Sequence, residues 1–394
     1  MKRLAVIFES SPFDRKGLFN AVHNRVKGIL GSGDYWVDVY CIHAKDNFFT
    51  RSVRHTPYVP IVDVVEIEGI TYRLLWYRFS ILDHVTLEKL GKRPCLFQRF
   101  INTYVNYLEG YDYVLAHSFT GSLFAYEAKQ RYGIPYFVSW HGSDVHTHPW
   151  RKDVIREDTR KVMEAAECNF FVSKALMRDS DRISEKARKE VLYNGVGDGF
   201  VRFKASEGAK ARKQFGIADS EKVVAFAGNL VSVKNVMALP QIFKSVSDKF
   251  NGPVHYIIAG DGKLRSQLEA AFRSVVLQHD SRVSFLGNVK AEDMPALMNC
   301  VDVLVLPSLN EGLPLVCAEA IMCGANVVGS DVGGVAEVIG QQNVVSHGPD
   351  FVPQFAKKVA DMLDARSSGH PFIQQLPSEI SWAKTSAREL SYLK

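Results

Sequence analysis

Two carboxylates eight residues apart, Glu311 and Glu319, stand in the string LPSLNEGLPLVCAEAIMCGANVVGSDVGGVAEVI that runs from Leu306 to Ile339. The run just before them, VDVLVLPS from Val301 to Ser308, is apolar and β-branched and is closed by Pro307, so it reads as a buried parallel strand. A helix is then expected to start near Leu313, with Pro314 in its first turn, where a missing N–H costs nothing. The amides of Leu315 and Val316 would point out of that helix start without partners, a site suited to a diphosphate. At a rise of about 1.5 Å per residue the two carboxylates would lie up to about 12 Å apart along the axis. A carboxylate pair working on one glycosidic bond needs roughly 5 to 9.5 Å. They are therefore expected to hold the two ends of one elongated ligand, a sugar at one end and a ribose at the other, with the diphosphate between.

The E-x7-E element followed by SDVGGVAEVI resembles the donor-binding signature of retaining glycosyltransferases with the GT-B fold, the large family numbered four. The resemblance implies that Glu311 contacts the transferred sugar and that the amides of Leu315 and Val316 meet the phosphates. It also implies that Glu319 meets the nucleotide ribose and that Gly312 and Leu313 lie on the donor loop.

Other loops extend the match. GNLVSVKN, Gly228 to Asn235, leads from a strand into a helix, and Lys234 sits where a cation would neutralise a departing diphosphate. The family usually carries an Arg directly after this glycine; here stands Asn229, which supplies neither charge nor a bidentate fork. Arg15 or Lys16, in the loop SSPFDRKGLFN of the first half, are candidates to compensate. That loop commonly holds a glycine pair in the family, and this chain has only Gly17, with Lys16 before it.

HGSDVHTH, His141 to His148, resembles the loop that reaches the donor sugar, with His141 hydrogen-bonding the sugar and Asp144 orienting the loop or touching the acceptor. A competing reading is a metal site made of His141, Asp144, His146 and His148. IAGDGKLRSQLE resembles a loop around the donor nucleotide; Gly260 and Gly262 flank Asp261 as a tight turn beside a ligand would require, though a plain turn explains them equally. Asp179-Ser180-Asp181 fits a D-x-D metal pattern, but it follows FVSKALMR on an expected helix and reads as a solvated face. No divalent metal and no cofactor beyond the substrate nucleotide sugar are expected.

Positioning these loops requires alternating strands and helices. In the first half strands are expected over 4–9, 36–42, 113–118, 136–140, 168–173 and 191–194, with helices near 17–31, 94–109, 120–132, 149–166 and 174–188. In the second half 222–228, 254–260, 283–287, 301–307 and 326–330 repeat the pattern. Such alternation implies α/β architecture with parallel sheets covered on both faces. Together with the resemblance it gives two doubly wound Rossmann-like domains facing a cleft: an acceptor side over 1–202 and a donor side over 203–378. The boundary is expected in the polar stretch RFKASEGAKARK, and an amphipathic helix over about 379–394 is expected to return to the first domain. The segment 45–100, with Trp76, Tyr77, Arg78 and Phe79, matches nothing in the family pattern and is where an acceptor would be sought.

Composition permits this. The 394 residues are 46% hydrophobic with a net charge of +5, length for two domains and too little charge to require a nucleic-acid partner. The mild basicity suits at most loose contact with an anionic membrane surface. Cys41, Cys95, Cys168, Cys300, Cys317 and Cys323 are scattered without C-x-x-C spacing and read as reduced core residues of a cytoplasmic protein. The five-residue apolar run near the amino terminus is too short for a signal core, and no run approaches the roughly 20 residues of a membrane span. The expected activity is transfer of a sugar from a nucleotide sugar, a uridine diphosphate sugar first and guanosine diphosphate mannose second, to a glycan or lipid-linked acceptor in cell-surface polysaccharide synthesis. An epimerase or phosphorylase on the same fold, or a donor-binding module without transfer, are the alternatives.

Overall fold

A computed structural model of the chain describes residues 1–13, 17–45, 60–78, 80–368 and 374–393. The chain divides into two compact units, Met1–Gly195 with Ser381–Lys394, and Val196–Ile380.

In the first unit the apolar run Leu4 to Phe8 is fully buried in strand β1 (Lys2–Glu9), as its lack of polar alternation requires of a strand covered on both faces. Around it lie β2 (Tyr35–Lys45), β3 (Val64–Ile67), β4 (Ile70–Arg78), β5 (Tyr113–His117), β6 (Tyr136–Trp140), β7 (Cys168–Phe171) and β8 (Lys189–Val191). The spatial order is β3-β4-β2-β1-β5-β6-β7-β8, and every pairing is parallel except β3 with β4. β2, then β4 and β3, lie outward of β1 on one side, and β6, β7 and β8 run outward from β5 on the other, so the winding reverses between β1 and β5. Helix α1 (Gly17–Ser32) follows β1 and helix α2 (Ser118–Tyr132) follows β5.

The C-terminal helix Trp382–Tyr392 is fixed on α1 by a buried charge pair. Arg25 donates to Glu389 Oε1 at 3.2 Å, to Ser139 Oγ at 2.5 Å, to the Leu192 carbonyl at 3.3 Å and to Asn194 Oδ1 at 3.2 Å. Both side chains are 1% exposed. One guanidinium thus ties α1, β6, the segment after β8 and the returning helix together.

The second unit is a six-stranded, wholly parallel sheet of β9 (Lys222–Ala227), β10 (Val254–Ala259), β11 (Arg282–Gly287), β12 (Val303–Leu306), β13 (Asn326–Ser330) and β14 (Val344–Val345). The order β11-β10-β9-β12-β13-β14 reverses winding between β9 and β12. Phe226, Tyr256, Phe243, Val305 and Phe355 lie in its core.

Several expectations are corrected. The units part at Gly195 and Val196, ahead of the polar stretch that was to carry the boundary. That stretch forms the helix Ala205–Gln214, whose only buried residue is Ala211, so its composition imitates a linker. The helix expected over 174–188 stops at Asp179 and continues as a short 3-10 turn, Ser180–Arg182. The β3–β4 hairpin was not foreseen; its two-residue turn, Glu68-Gly69, has positive φ at both positions (50° and 76°), with Glu where Asn or Asp is the common signal. Cys95 is exposed at the first position of the helix Cys95–Tyr104, while the other five cysteines are buried.

Candidate active site

Ligands in a doubly wound sheet bind beyond the carboxyl ends of the strands where the winding reverses. In the second unit that crevice lies between β9 and β12, and the loops leaving these strands carry Lys234 and Glu311. Lys234 Nζ donates to Glu311 Oε1 at 2.6 Å, and Ser308 Oγ donates to the same oxygen at 2.6 Å. The Glu311 side chain is 9% exposed and that of Lys234 24%. The two loops are also joined through backbone, Leu309 N–H to the Val233 carbonyl at 2.8 Å, and the His347 ring nitrogen lies 2.9 Å from the Ser308 carbonyl.

Helix α3 spans Leu315–Met322, so it starts two residues later than expected. Pro314 is its N-cap, at φ −78° and ψ 90°, and does not sit in the first turn. Leu315 and Val316 remain the first two helical residues, whose N–H groups have no intrahelical acceptor. Glu311 stands in the loop before the helix, so helical rise does not set its separation from Glu319, correcting the estimate made from spacing. Glu319 is half-buried on α3, and burial pushes its carboxyl up to about 7.

The glycine pair of SDVGGVAEVI holds the Glu311 loop. A Cβ on Gly333, whose φ is +49°, would lie 1.7 Å from the Glu311 carbonyl oxygen, and Gly334 N–H donates to the Gly312 carbonyl at 3.1 Å. Gly260 and Gly262 serve the same end one strand away. Their missing Cβ atoms would fall 2.0 Å from the Gly228 oxygen and 2.5 Å from the Leu230 oxygen, so these glycines let two strand-end loops pack backbone on backbone. Asp261 accepts from Gly262 N–H at 2.7 Å and meets Arg265 at 3.3 Å, which gives it a local structural partner set. Asn229 is exposed, and Leu313 is half-buried.

In the first unit His141 and Asp144 come together after β6. The Asp144 carboxylate accepts from the His141 amide at 3.1 and 3.0 Å and from the Gly142 amide at 2.8 Å. It therefore orients the loop, and burial pushes its carboxyl up to about 6 against the pull of these amides. His141 Nε2 lies 3.2 Å from Nδ1 of His117, the last residue of β5, and the rings stack at 5.4 Å. Burial and the Arg25 charge hold His141 down at about 3, so the ring is neutral at ordinary pH. His117 was missed because a lone histidine closing a strand carries no motif.

Gly17 is the first residue of α1, and a Cβ there would meet nothing, so the chain itself places no steric demand for glycine at this point. Arg15, Lys16 and Phe79 lie outside the described residues. The four residues weighed as a metal site have separate partners: His146 Nδ1 is 3.1 Å from Asp179, and the His148 ring packs on Phe119 at 4.7 Å. Asp181 pairs with Lys189.

Residues 208–376 match the family model of the glycosyl transferases group 1, and residues 37–195 match that of a glycosyl transferase 4-like domain. The chain is 28% identical over 244 residues to an uncharacterised glycosyltransferase of Methanocaldococcus jannaschii, covering 59% of this chain and 60% of that protein. It is 29% identical over 222 residues to N-acetyl-α-D-glucosaminyl L-malate synthase of Bacillus anthracis, 55% of either chain. It thus spans only about half to three fifths of the length of the curated relatives it matches. Its fold matches Anabaena HepE, solved in complex with UDP-glucose, with TM-score 0.64 at 18% identity over 99% of this chain and 95% of that one. The chain belongs to the group 1 glycosyltransferases and has their GT-B fold of two parallel-sheet domains.

Proposed function

We propose that the chain transfers a sugar from a nucleotide-sugar donor to a hydroxyl of a glycan or lipid-linked acceptor, with retention at the anomeric carbon, in cell-surface polysaccharide synthesis. The observation that carries this reading is the Lys234–Glu311 pair in the crevice between β9 and β12, just before the start of α3. A diphosphate placed at the Leu315 and Val316 amides would lie beside a cation already held in place. On donor entry Lys234 turns from Glu311 to the phosphates, and Glu311 accepts from a sugar hydroxyl while Glu319 accepts from the ribose. Lys234 and the helix amides then stabilise the departing nucleoside diphosphate as its charge develops. The acceptor hydroxyl attacks from the leaving-group face, and a phosphate oxygen takes its proton.

A UDP-sugar is the preferred donor, supported by the likeness to HepE, which was solved with UDP-glucose; GDP-mannose is the second choice. Because lysine and helix amides supply the positive charge, no divalent metal is required. The work is assigned to the cytoplasm, with at most peripheral membrane contact, on the scattered cysteines without C-x-x-C spacing.

The test is product analysis by NMR with each donor and a panel of glycan acceptors, wild type beside Lys234→Ala. An α-configured product from an α-configured donor, made about 10²-fold or more slower by the variant, is expected. Donor conversion without acceptor would favour an epimerase. Donor binding without UDP release would favour a module that has lost transfer, a reading motivated by the uncharged, exposed Asn229 where the family usually has Arg.

A further inference from the structure

Apolar burial does not hold the loop that carries Glu311. Leu309 is 52% exposed, and Asn310, Glu311 and Gly312 are half-buried. Polar contacts must therefore set its position, and one peptide unit, Ser308–Leu309, carries two of them. The Leu309 N–H donates to the Val233 carbonyl at 2.8 Å, and the Ser308 carbonyl lies 2.9 Å from His347 Nε2. A carbonyl oxygen only accepts, so the hydrogen of the His347 ring is on Nε2. The peptide plane is thereby fixed from both sides, by the loop of Lys234 and by the turn after β14. With the plane fixed, the fully buried Ser308 side chain meets Glu311, and its hydroxyl donates to Oε1 at 2.6 Å.

The two oxygens of Glu311 are unlike. Oε1 takes both Lys234 and Ser308, each at 2.6 Å. Oε2 has no donor among the described residues and is open to solvent. In the transfer proposed above, Lys234 turns to the diphosphate, so the carboxylate loses one of its two restraints at the moment a sugar hydroxyl must be met. The Ser308 hydroxyl is buried and its one hydrogen is already given to Oε1, so it stays when Lys234 leaves. His347 is exposed, and its ring stacks at 4.4 Å on Phe351, the first residue of the helix Phe351–Ser367.

We propose that Ser308 and His347 are positioning residues for Glu311. Ser308 keeps the carboxylate turned with Oε2 toward a sugar hydroxyl, and His347 keeps Ser308 in place through the Ser308–Leu309 peptide. The assignment rests on the donor reading for the sugar. It rests on the hydrogen bonds for the order of dependence, His347 to Ser308 to Glu311.

The experiment is calorimetry on the full chain with UDP, UDP-glucose, GDP and GDP-mannose, with a thermal melt on each sample. The quantity read is how far a variant weakens a sugar nucleotide beyond the bare nucleoside diphosphate. Ser308→Ala is expected to weaken the sugar nucleotide about tenfold or more, the loss of one hydrogen bond to a charged group, with the nucleoside diphosphate within about twofold of wild type. His347→Phe keeps a ring on Phe351 but no donor, and is expected to lose about threefold or more in the same quantity. His347→Gln keeps a donor without the ring and is expected to restore wild-type binding. With Glu311→Ala already present, neither Ser308→Ala nor His347→Phe should weaken the sugar nucleotide further, because residues that act through one another are not additive. Three results each overturn the proposal and leave donor binding standing: no effect of Ser308→Ala, the same factor with and without Glu311, or a loss in His347→Gln that His347→Phe does not share. A wild type that binds neither nucleotide family removes the donor reading and this assignment together. Should Ser308→Ala fail to fold, the two variants at the exposed His347 carry the test.

Discussion

Gly333→Ala perturbs the placement of Glu311 without touching either of its side-chain partners. The new Cβ would lie 1.7 Å from the Glu311 carbonyl oxygen. That oxygen would have to retreat by about 2 Å to reach ordinary contact distance. The φ of +49° adds its own cost, roughly 1–2 kcal/mol for a residue with a Cβ. In a unit of this size such a loss lowers the melting temperature by about 2 to 8 °C. Displacing the loop also pulls Glu311 Oε1 from Lys234 and Ser308, both now 2.6 Å away. A misplacement of about 1 Å at a reacting centre costs on the order of 10²-fold. The assay is kcat/KM by release of nucleoside diphosphate, with a thermal melt on the same samples. Gly348→Ala is the control, since its Cβ would meet nothing and its φ is not positive. A Gly333→Ala enzyme within about twofold of wild type in kcat/KM, with an unchanged melt, would refute the claim that this glycine positions Glu311.

Three further outcomes follow from the same geometry. Glu319 has its carboxyl raised to about 7, and a ribose diol needs the ionised form as acceptor, so protonation on going from pH 8 to pH 6 should weaken UDP-glucose binding by close to tenfold. Calorimetry across that range should show the loss, and Glu319→Gln should flatten the profile. Glu389→Ala leaves the Arg25 guanidinium buried without its carboxylate and should destabilise the first unit by about 3–5 kcal/mol, read by denaturant unfolding, whereas Glu389→Gln, which keeps an acceptor, should cost less. Transfer should persist in excess chelator; complete loss restored by manganese or magnesium would contradict the role given to Lys234.

The strands were legible because parallel strands buried on both faces are continuous apolar runs, as in YFVSW, all five residues of which are buried in β6. The donor loop was legible because its carboxylates, proline and glycines occur in one short string. What escaped were features set by tertiary contact. Gly260 and Gly262 read as a turn beside a ligand, and only the approach of the Gly228 and Leu230 oxygens gives their reason. His117 reaches His141 because β5 and β6 are neighbours, a pairing invisible across their sequence separation of 24. Arg25 and Glu389 are 364 residues apart, so each alone reads as a surface charge on an amphipathic helix. The start of α3 was misplaced by two residues because Pro314 satisfies an N-cap as readily as a first turn.

A thermal-shift series with UDP, UDP-glucose, UDP-N-acetylglucosamine, GDP and GDP-mannose, run on wild type and Glu319→Ala, tests the central claim most directly, because a ligand that binds only the folded state raises its melting temperature. A shift with one nucleotide family that vanishes in the variant is the predicted result. No shift with any of them at millimolar concentration would contradict donor binding in the crevice between β9 and β12, and with it the transferase account.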